Sequence, residues 1–327
     1  MSAHSIGRDE IDQLAEAGHF NAEQRDIALV VAGVSPDAAQ WHRFMGRVFL
    51  TFGVTLLIAA VGYFVAYNWD AMGRFAKIAL LEIGVAGATM GAAYFVPGDI
   101  RSRAALFAAV LLTGPLLAFI GQTYQTGADT YELFRAWALL ALPWVVVARW
   151  RVLWCLWLLV ANVAVALYFA EIRWSFISAV LFQHGALAHL AGNGLFLVAI
   201  EWLGRDRLTG GGRSVEQLAL ALVIGSATFL YLHLLFDSGA RSFWALPLSL
   251  AVFGAVWWWY RLKQLDLVAL AMWSFAGIAM TVATVGRMLF DVHAEWLAFL
   301  VIGGTVLGLS AWAASWLRGL HKAAEVS

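Results

Sequence analysis

About ten apolar stretches, each long enough to cross a bilayer as a helix, follow one another through this chain with only short connections between them. Few folds accommodate that pattern. A hydrocarbon core of ~30 Å takes ~20 residues of helix at ~1.5 Å each, and only helices and closed barrels satisfy every backbone group there. Ten core helices of a soluble protein are excluded by composition. The 327 residues are 62% hydrophobic and 13% charged, against about 25% charged in soluble domains, which leaves too few polar side chains to face water all round. The expected fold is all-α: a polytopic transmembrane helical bundle of about ten spans with a small N-terminal cytoplasmic helical segment.

The spans read as residues 48–67, 75–96, 104–124, 131–148, 152–170, 187–203, 215–236, 243–260, 265–290 and 296–317. They stack as five hairpins. The implied organisation is a cytoplasmic helical hairpin region at 1–44, a transmembrane domain at 45–318 and a short cytoplasmic tail at 319–327. Residues 8–17 read as one short helix and those after Asn21 as another, with Asn21 as cap and Gln24 at the capping-box position. Gly18 breaks the two apart. Ile11 and Leu14 on the first, with Ile27, Val30 and Val31 on the second, give apolar stripes that a hairpin buries. Ser35-Pro36-Asp37 then opens a third helix, with Ser35 as cap and Pro36 at its first position.

Orientation follows from the basic residues. Arg43, Arg47, Arg101, Arg103, Arg149, Arg151, Arg205, Arg207, Arg213, Arg261, Lys263, Arg318 and Lys322 fall in the tail and even-numbered connections. The other side has Arg74, Lys77, Arg173, Arg241 and Arg287. Positive charge concentrates on the cytoplasmic side, so both termini are expected there.

That orientation brings two polar tips to the outer face: Tyr67-Asn68-Trp69-Asp70, and Gly121 to Asp129 with Gln122, Thr123, Tyr124 and Gln125 in a row. A lipid-facing helix end needs only aromatic and basic anchors, whereas amides and carboxylates each need a partner or water. Asp129 with Glu132 three residues on reads as a helix cap. Asn68 and Asp70 can start the next helix in the same way. Gln122, Tyr124 and Gln125 fit either a polar cavity or a hydrogen-bonded plug between helices.

These tips also carry a resemblance. Asn68-Trp69-Asp70, the basic pair Arg74 and Lys77, Gly121-Gln122-Thr123-Tyr124-Gln125, Gly127-Ala128-Asp129 and Leu133-Phe134-Arg135-Ala136-Trp137 resemble an uncharacterised bacterial membrane-protein family, domain-of-unknown-function family twenty-one fifty-seven. The resemblance covers residues 9–144 and implies a bacterial inner-membrane protein. It implies no activity.

Within the spans, Glu82 lies twelve residues beyond Asp70, ~18 Å along a helix and near mid-bilayer. An unpaired carboxylate there is costly. Arg135 enters from the same side, so Glu82 and Arg135 form a candidate ion pair, with a protonatable Glu82 as the alternative. Glu201 with Arg205 and Arg287 with Asp291 have the spacing of helical ion pairs. His189 and Asn193, four apart among small residues, suggest an interhelical hydrogen bond.

Other chemistry finds no foothold. The formal net charge is zero, which gives no ground for a nucleic-acid partner, and Cys155 stands alone, which excludes an internal disulfide. Catalytic serine, phosphate-loop and zinc signatures do not occur, and Gly210-Gly211-Gly212 reads as a flexible connection. No metal site and no cofactor is expected. The leading reading is a transporter-like or lipid-handling protein in the lipid bilayer, with a site of Asn68, Asp70, Gln122, Tyr124, Gln125 and Arg135. A second is a scaffold or sensor that binds a cytoplasmic protein partner through its N-terminal helices. The third is an outer-face transferase drawing on Asp70, Asp129, Asp237, Asp291 or His293.

Overall fold

The computed structural model describes residues 8–68, 71–125, 127–171, 178–236, 245–291 and 295–326. All regular structure among them is helical, and nine of the helices are long and apolar enough to cross a membrane. The chain divides into two compact units, Met1–Leu112 and Thr113–Ser327.

The first unit opens with α1 (Arg8–Glu16) and α2 (Ala22–Val31). Asn21 caps α2 and closes the expected box with Gln24, while Gly18, at φ +80°, makes the turn before it. The buried pair is Ile11 with Leu29. Leu14, Ile27, Val30 and Val31 are exposed, contrary to expectation. At ~100° per residue, turning Leu29 inward rotates positions 27 and 31 to the far side of the helix. An ion pair from Arg25 to Asp12, 2.7 Å long, fixes that rotation. Next come α3 (Ala38–Tyr67) and α4 (Arg74–Tyr94). The cap of α3 is Asp37, not Ser35: Asp37 accepts from the Gln40 backbone and Gln40 reaches back to the Asp37 N–H, which places Pro36 before the helix. Between α4 and α5 (Ile100–Tyr124), the buried Ser102 hydroxyl donates to the Ala92 carbonyl at 2.9 Å, and a Cβ on Gly84 would lie 3.2 Å from Leu112.

The second unit starts with the end of α5 and continues through α6 (Thr130–Ala148), α7 (Arg151–Glu171), α8 (Ser178–Leu203), the short α9 (Arg205–Thr209), α10 (Ser214–Phe236), α11 (Ala245–Trp258), α12 (Leu267–Asp291) and α13 (Glu295–Val326). Its centre is α10, which packs against α7, α8, α11 and α12. An apolar sequence all round is what such a helix requires. Leu220 and Ile224 of α10 meet Val256, Ala269 and Ala276 in one apolar core, and the Trp273 indole donates to the Phe253 carbonyl at 2.9 Å. The segment expected as a span at 243–260 is described only from Ala245 onward. There α11 has 14 residues and passes into a π-helical turn, Trp259–Lys263. At the other end of the unit, α13 runs on as helix through most of the expected tail.

The connection from α8 to α10 is packed, not flexible. Gly204, Gly210, Gly211 and Gly212 all have φ between +73° and +89°, which glycine alone adopts without strain. The turn lies against the start of α7, where the Trp154 indole donates to the Leu208 carbonyl at 2.8 Å. A Cβ on Gly210 would run into the Arg149 carbonyl oxygen.

Candidate functional site

The polar tips resolve largely into local structure. Asn68 ends α3: its side chain donates to the Phe64 carbonyl at 2.9 Å, and its own carbonyl accepts from Ala71 and Met72. The residue before α4 is Gly73, so Asn68 closes one helix and does not start the next. Asp70 lies outside the described residues. Gln122 and Tyr124 occupy the last turn of α5, both exposed, and Gln125 follows with a left-handed φ of +45°.

Asp129 takes the backbone conformation of a cap, yet its carboxylate makes no capping bond. Glu132 instead pairs with Arg135 at 3.3 Å, three residues on along α6. The Arg135 guanidinium also lies over the Tyr131 ring, 5.7 Å from its centroid, and Tyr131 meets Tyr168 edge to face. Glu82 is exposed on α4 in the first unit. Asp237 and His293, and the side chain of Asp291, lie outside the described residues.

The polar chemistry that helix packing brings together is elsewhere, between α7 and α8. Asn162 of α7 and Asn193 of α8 exchange two hydrogen bonds, Nδ2 to Oδ1 in each direction, at 3.0 and 2.8 Å. Each amide uses its other N–H on a backbone carbonyl four residues back, Leu158 for Asn162 and His189 for Asn193, at 2.8 Å in both cases. The His189 ring joins them, with Nδ1 2.7 Å from Asn162 Oδ1. The spacing of His189 and Asn193 correctly pointed to an interhelical bond. The sequence signal for Asn162 is weaker, a lone amide inside the apolar run Val160-Ala161-Asn162-Val163.

Two cavities meet at this network. The larger, about 630 Å³, lies between α7, α8 and α10. Its walls are mostly apolar, with the small Gly185 and Ala186 on α8, Ala221 and Gly225 on α10, and the larger Leu159, Val163 and Phe169 on α7. Asn162, His189 and Ser226 supply its polar side chains. The smaller, about 230 Å³, lies between α7 and α8 and shares Asn162 and His189 with the first. The Trp157 and Phe196 rings on its wall lie 5.9 Å apart, and the Trp157 indole is held by the Ala138 carbonyl at 2.9 Å. An aromatic series, Tyr131, Tyr168 and Phe169, leads from Arg135 to the larger cavity.

A charged cluster occupies the arginine-rich end of the same unit. Arg205 donates to Glu216 on α10 as well as to Glu201, 3.4 Å away. It is therefore not the simple intrahelical pair expected, because α8 has already ended at Leu203. The Glu216 hydrogen bond raises the Arg205 pKa against the opposing effect of burial. Arg213 reaches Asp266 at 3.1 Å. Burial pushes the Asp266 carboxyl up, but bonds from the Ala269 N–H, Arg213 and Gln217 outweigh it and hold the group below its ordinary value. These bonds tie the end of α8 and the start of α9 to α10, and α10 to the start of α12. Among the described residues no three histidine, cysteine, aspartate or glutamate side chains converge as a metal would require.

Residues 12–154 match the profile of a family described as predicted membrane protein (DUF2157). No curated protein and no solved structure matches the chain. The matched segment contains both polar tips. Asn162, His189, Asn193 and the walls of the larger cavity lie beyond it.

Proposed function

We propose that this membrane protein handles lipids, holding an apolar or amphiphilic molecule in the cavity between α7, α8 and α10. The cavity carries the reading: its volume of about 630 Å³ falls within the ~300–1,000 Å³ of small-molecule sites, and its walls are mostly apolar with a few polar groups, as such sites are. Apolar walls of this kind hold water poorly. In a bilayer the ready occupant is an alkyl chain. The proposal moves the site from the tips to the cleft between α7, α8 and α10 and keeps the lipid-handling class. With the arginine-rich loops on the cytoplasmic side of a bacterial inner membrane, the cavity would occupy the outer half of the bundle.

Gly225 provides the test, because a Cβ there meets nothing within 4 Å and a larger side chain projects into open space. Gly225→Phe should fold normally, as judged by circular dichroism and gel filtration, and lose lipid that the wild-type protein retains through purification, read by native mass spectrometry. Equal retention by the two proteins, or none by the wild type, overturns the reading.

A further inference from the structure

The cavity's polar side chains have spent their protons. Both N–H groups of Asn162 are used, on the Leu158 carbonyl and on Asn193 Oδ1, and the Ser226 hydroxyl donates to the Leu222 carbonyl at 2.7 Å. The Leu158 carbonyl can only accept, so the atom of Asn162 facing it is Nδ2 and the atom facing His189 is the oxygen. That oxygen has no hydrogen to give. His189 Nδ1 must therefore carry the proton, and in the neutral ring Nε2 is left as a lone pair. Asn193 is held in the same sense, since its remaining N–H goes to the His189 carbonyl. Among the described residues Nε2 has no protein partner, and the ring borders both cavities.

Among the described residues the site offers lone pairs and no free N–H or O–H, which favours a ligand that brings a donor. No carboxylate among the described residues lines the cavity, so an ammonium donor would be buried without a counter-charge. A hydroxyl brings a donor and no charge. We propose that the cavity selects a hydroxyl-bearing amphiphile, its O–H donating to His189 Nε2 and its alkyl chain lying along Val163, Ala221 and Gly225. The inference rests on the lipid-handling reading and names the chemical class of its ligand. The Asn162 and Asn193 amides act as positioning residues that fix the imidazole tautomer. The hydroxyl can come from a single-chain alcohol or from a diacylglycerol, and the test separates these sources.

Protein in nanodiscs is photolabelled with three probes carrying the same chain diazirine: hexadecanol, hexadecyl methyl ether and a diacylglycerol. Labelled peptides are mapped by mass spectrometry. The ether keeps the chain and oxygen but has no donor. Hexadecanol should label α7, α8 and α10 about tenfold more than the ether, the ratio expected from one hydrogen bond. Diacylglycerol labelling at the level of hexadecanol assigns the two-chain source, and weaker labelling assigns the single-chain source. Equal labelling by alcohol and ether overturns hydroxyl selection while leaving the cavity reading standing. No labelling of these helices by any probe overturns both. His189→Phe should abolish the preference for alcohol; should that variant fail to fold, the wild-type comparison still decides. ¹⁵N NMR of selectively labelled histidine gives an independent readout, because a protonated Nε2 in the wild-type protein removes the acceptor and with it the proposal.

Discussion

Asn162 and Asn193 satisfy one another across the contact of α7 and α8, each amide donating to the other at 3.0 and 2.8 Å, and this reciprocal pair orients everything polar around the cavity. Hydrogen bonds between membrane helices average well under 1 kcal/mol, yet leaving an amide half-satisfied in an apolar interior costs more. Asn193→Ala should therefore destabilise the protein by about 1–2 kcal/mol. Unfolding by sodium dodecyl sulfate in mixed micelles measures this. The double variant with Asn162→Ala should cost less than the sum of the two single changes, because the second removes a group the first had already orphaned.

Gly114 is where α5 meets α6. A Cβ there would lie 2.7 Å from the Trp137 ring, well inside any real contact. Gly114→Ala should cost about 1–3 kcal/mol, the usual range for overpacking. Adding Trp137→Leu should recover part of that loss. Gly225→Ala makes the control, since its Cβ meets open space and alanine gains up to about 1 kcal/mol over glycine in a helix. Equal losses at the two positions would falsify the packing account.

What was legible in the chain was what local sequence determines. The Asn21 box, the break at Gly18 and nine of the ten expected apolar spans are each set within a few residues, and each stands where the pattern placed it. Asn162 meets its partners 27 and 31 residues away, through helix packing that no local spacing encodes. The cavity has the same origin. Small residues such as Gly185 and Gly225 bring helices together in one context and leave a gap in another, and the neighbour decides: Phe169 stands 3.2 Å from where a Cβ on Gly185 would be, and nothing stands near Gly225. The tips drew attention because amides and carboxylates are scarce in this chain. Asn68, Glu132 and Arg135 then found partners within four residues of themselves, the one distance at which sequence could have paired them.

Asp266 ties the start of α12 to α10. It accepts from the Val268 and Ala269 N–H groups at 2.9 and 3.1 Å and from Arg213 and Gln217. These bonds favour the charged form, so the folded pKa lies below the unfolded one of about 3.9. A carboxylate depressed in this sense stabilises the fold fully above the unfolded pKa and loses its contribution as pH falls through the folded value. Thermal unfolding in detergent should thus show no change from this group between about pH 7 and pH 5, then a loss below about pH 4. Asp266→Asn should be less stable by about 2 kcal/mol near neutral pH and should lack that acid-dependent step. An acid-dependent step of unchanged size in Asp266→Asn assigns the step to another group.

Gly210 and Gly212 separate backbone strain from steric conflict, because they share a left-handed φ, +73° and +77°, but face different neighbours. Alanine at either position carries the left-handed penalty of about 1–2 kcal/mol. At Gly212 the added Cβ meets the Arg151 guanidinium, the far end of a flexible side chain that can move aside. At Gly210 it meets the Arg149 carbonyl oxygen, whose position is fixed by backbone at the end of α6. Gly210→Ala should therefore cost about 1–3 kcal/mol more than Gly212→Ala. The excess should fall on the junction that holds α9 against α7: hydrogen exchange at residues 204–213 should quicken in Gly210→Ala, and the Trp154 indole N–H, bonded to the Leu208 carbonyl, should lose its protection. Equal costs at the two positions would mean that the turn shifts away from α7 as readily as the Arg151 side chain does, and the connection would then be a loose one.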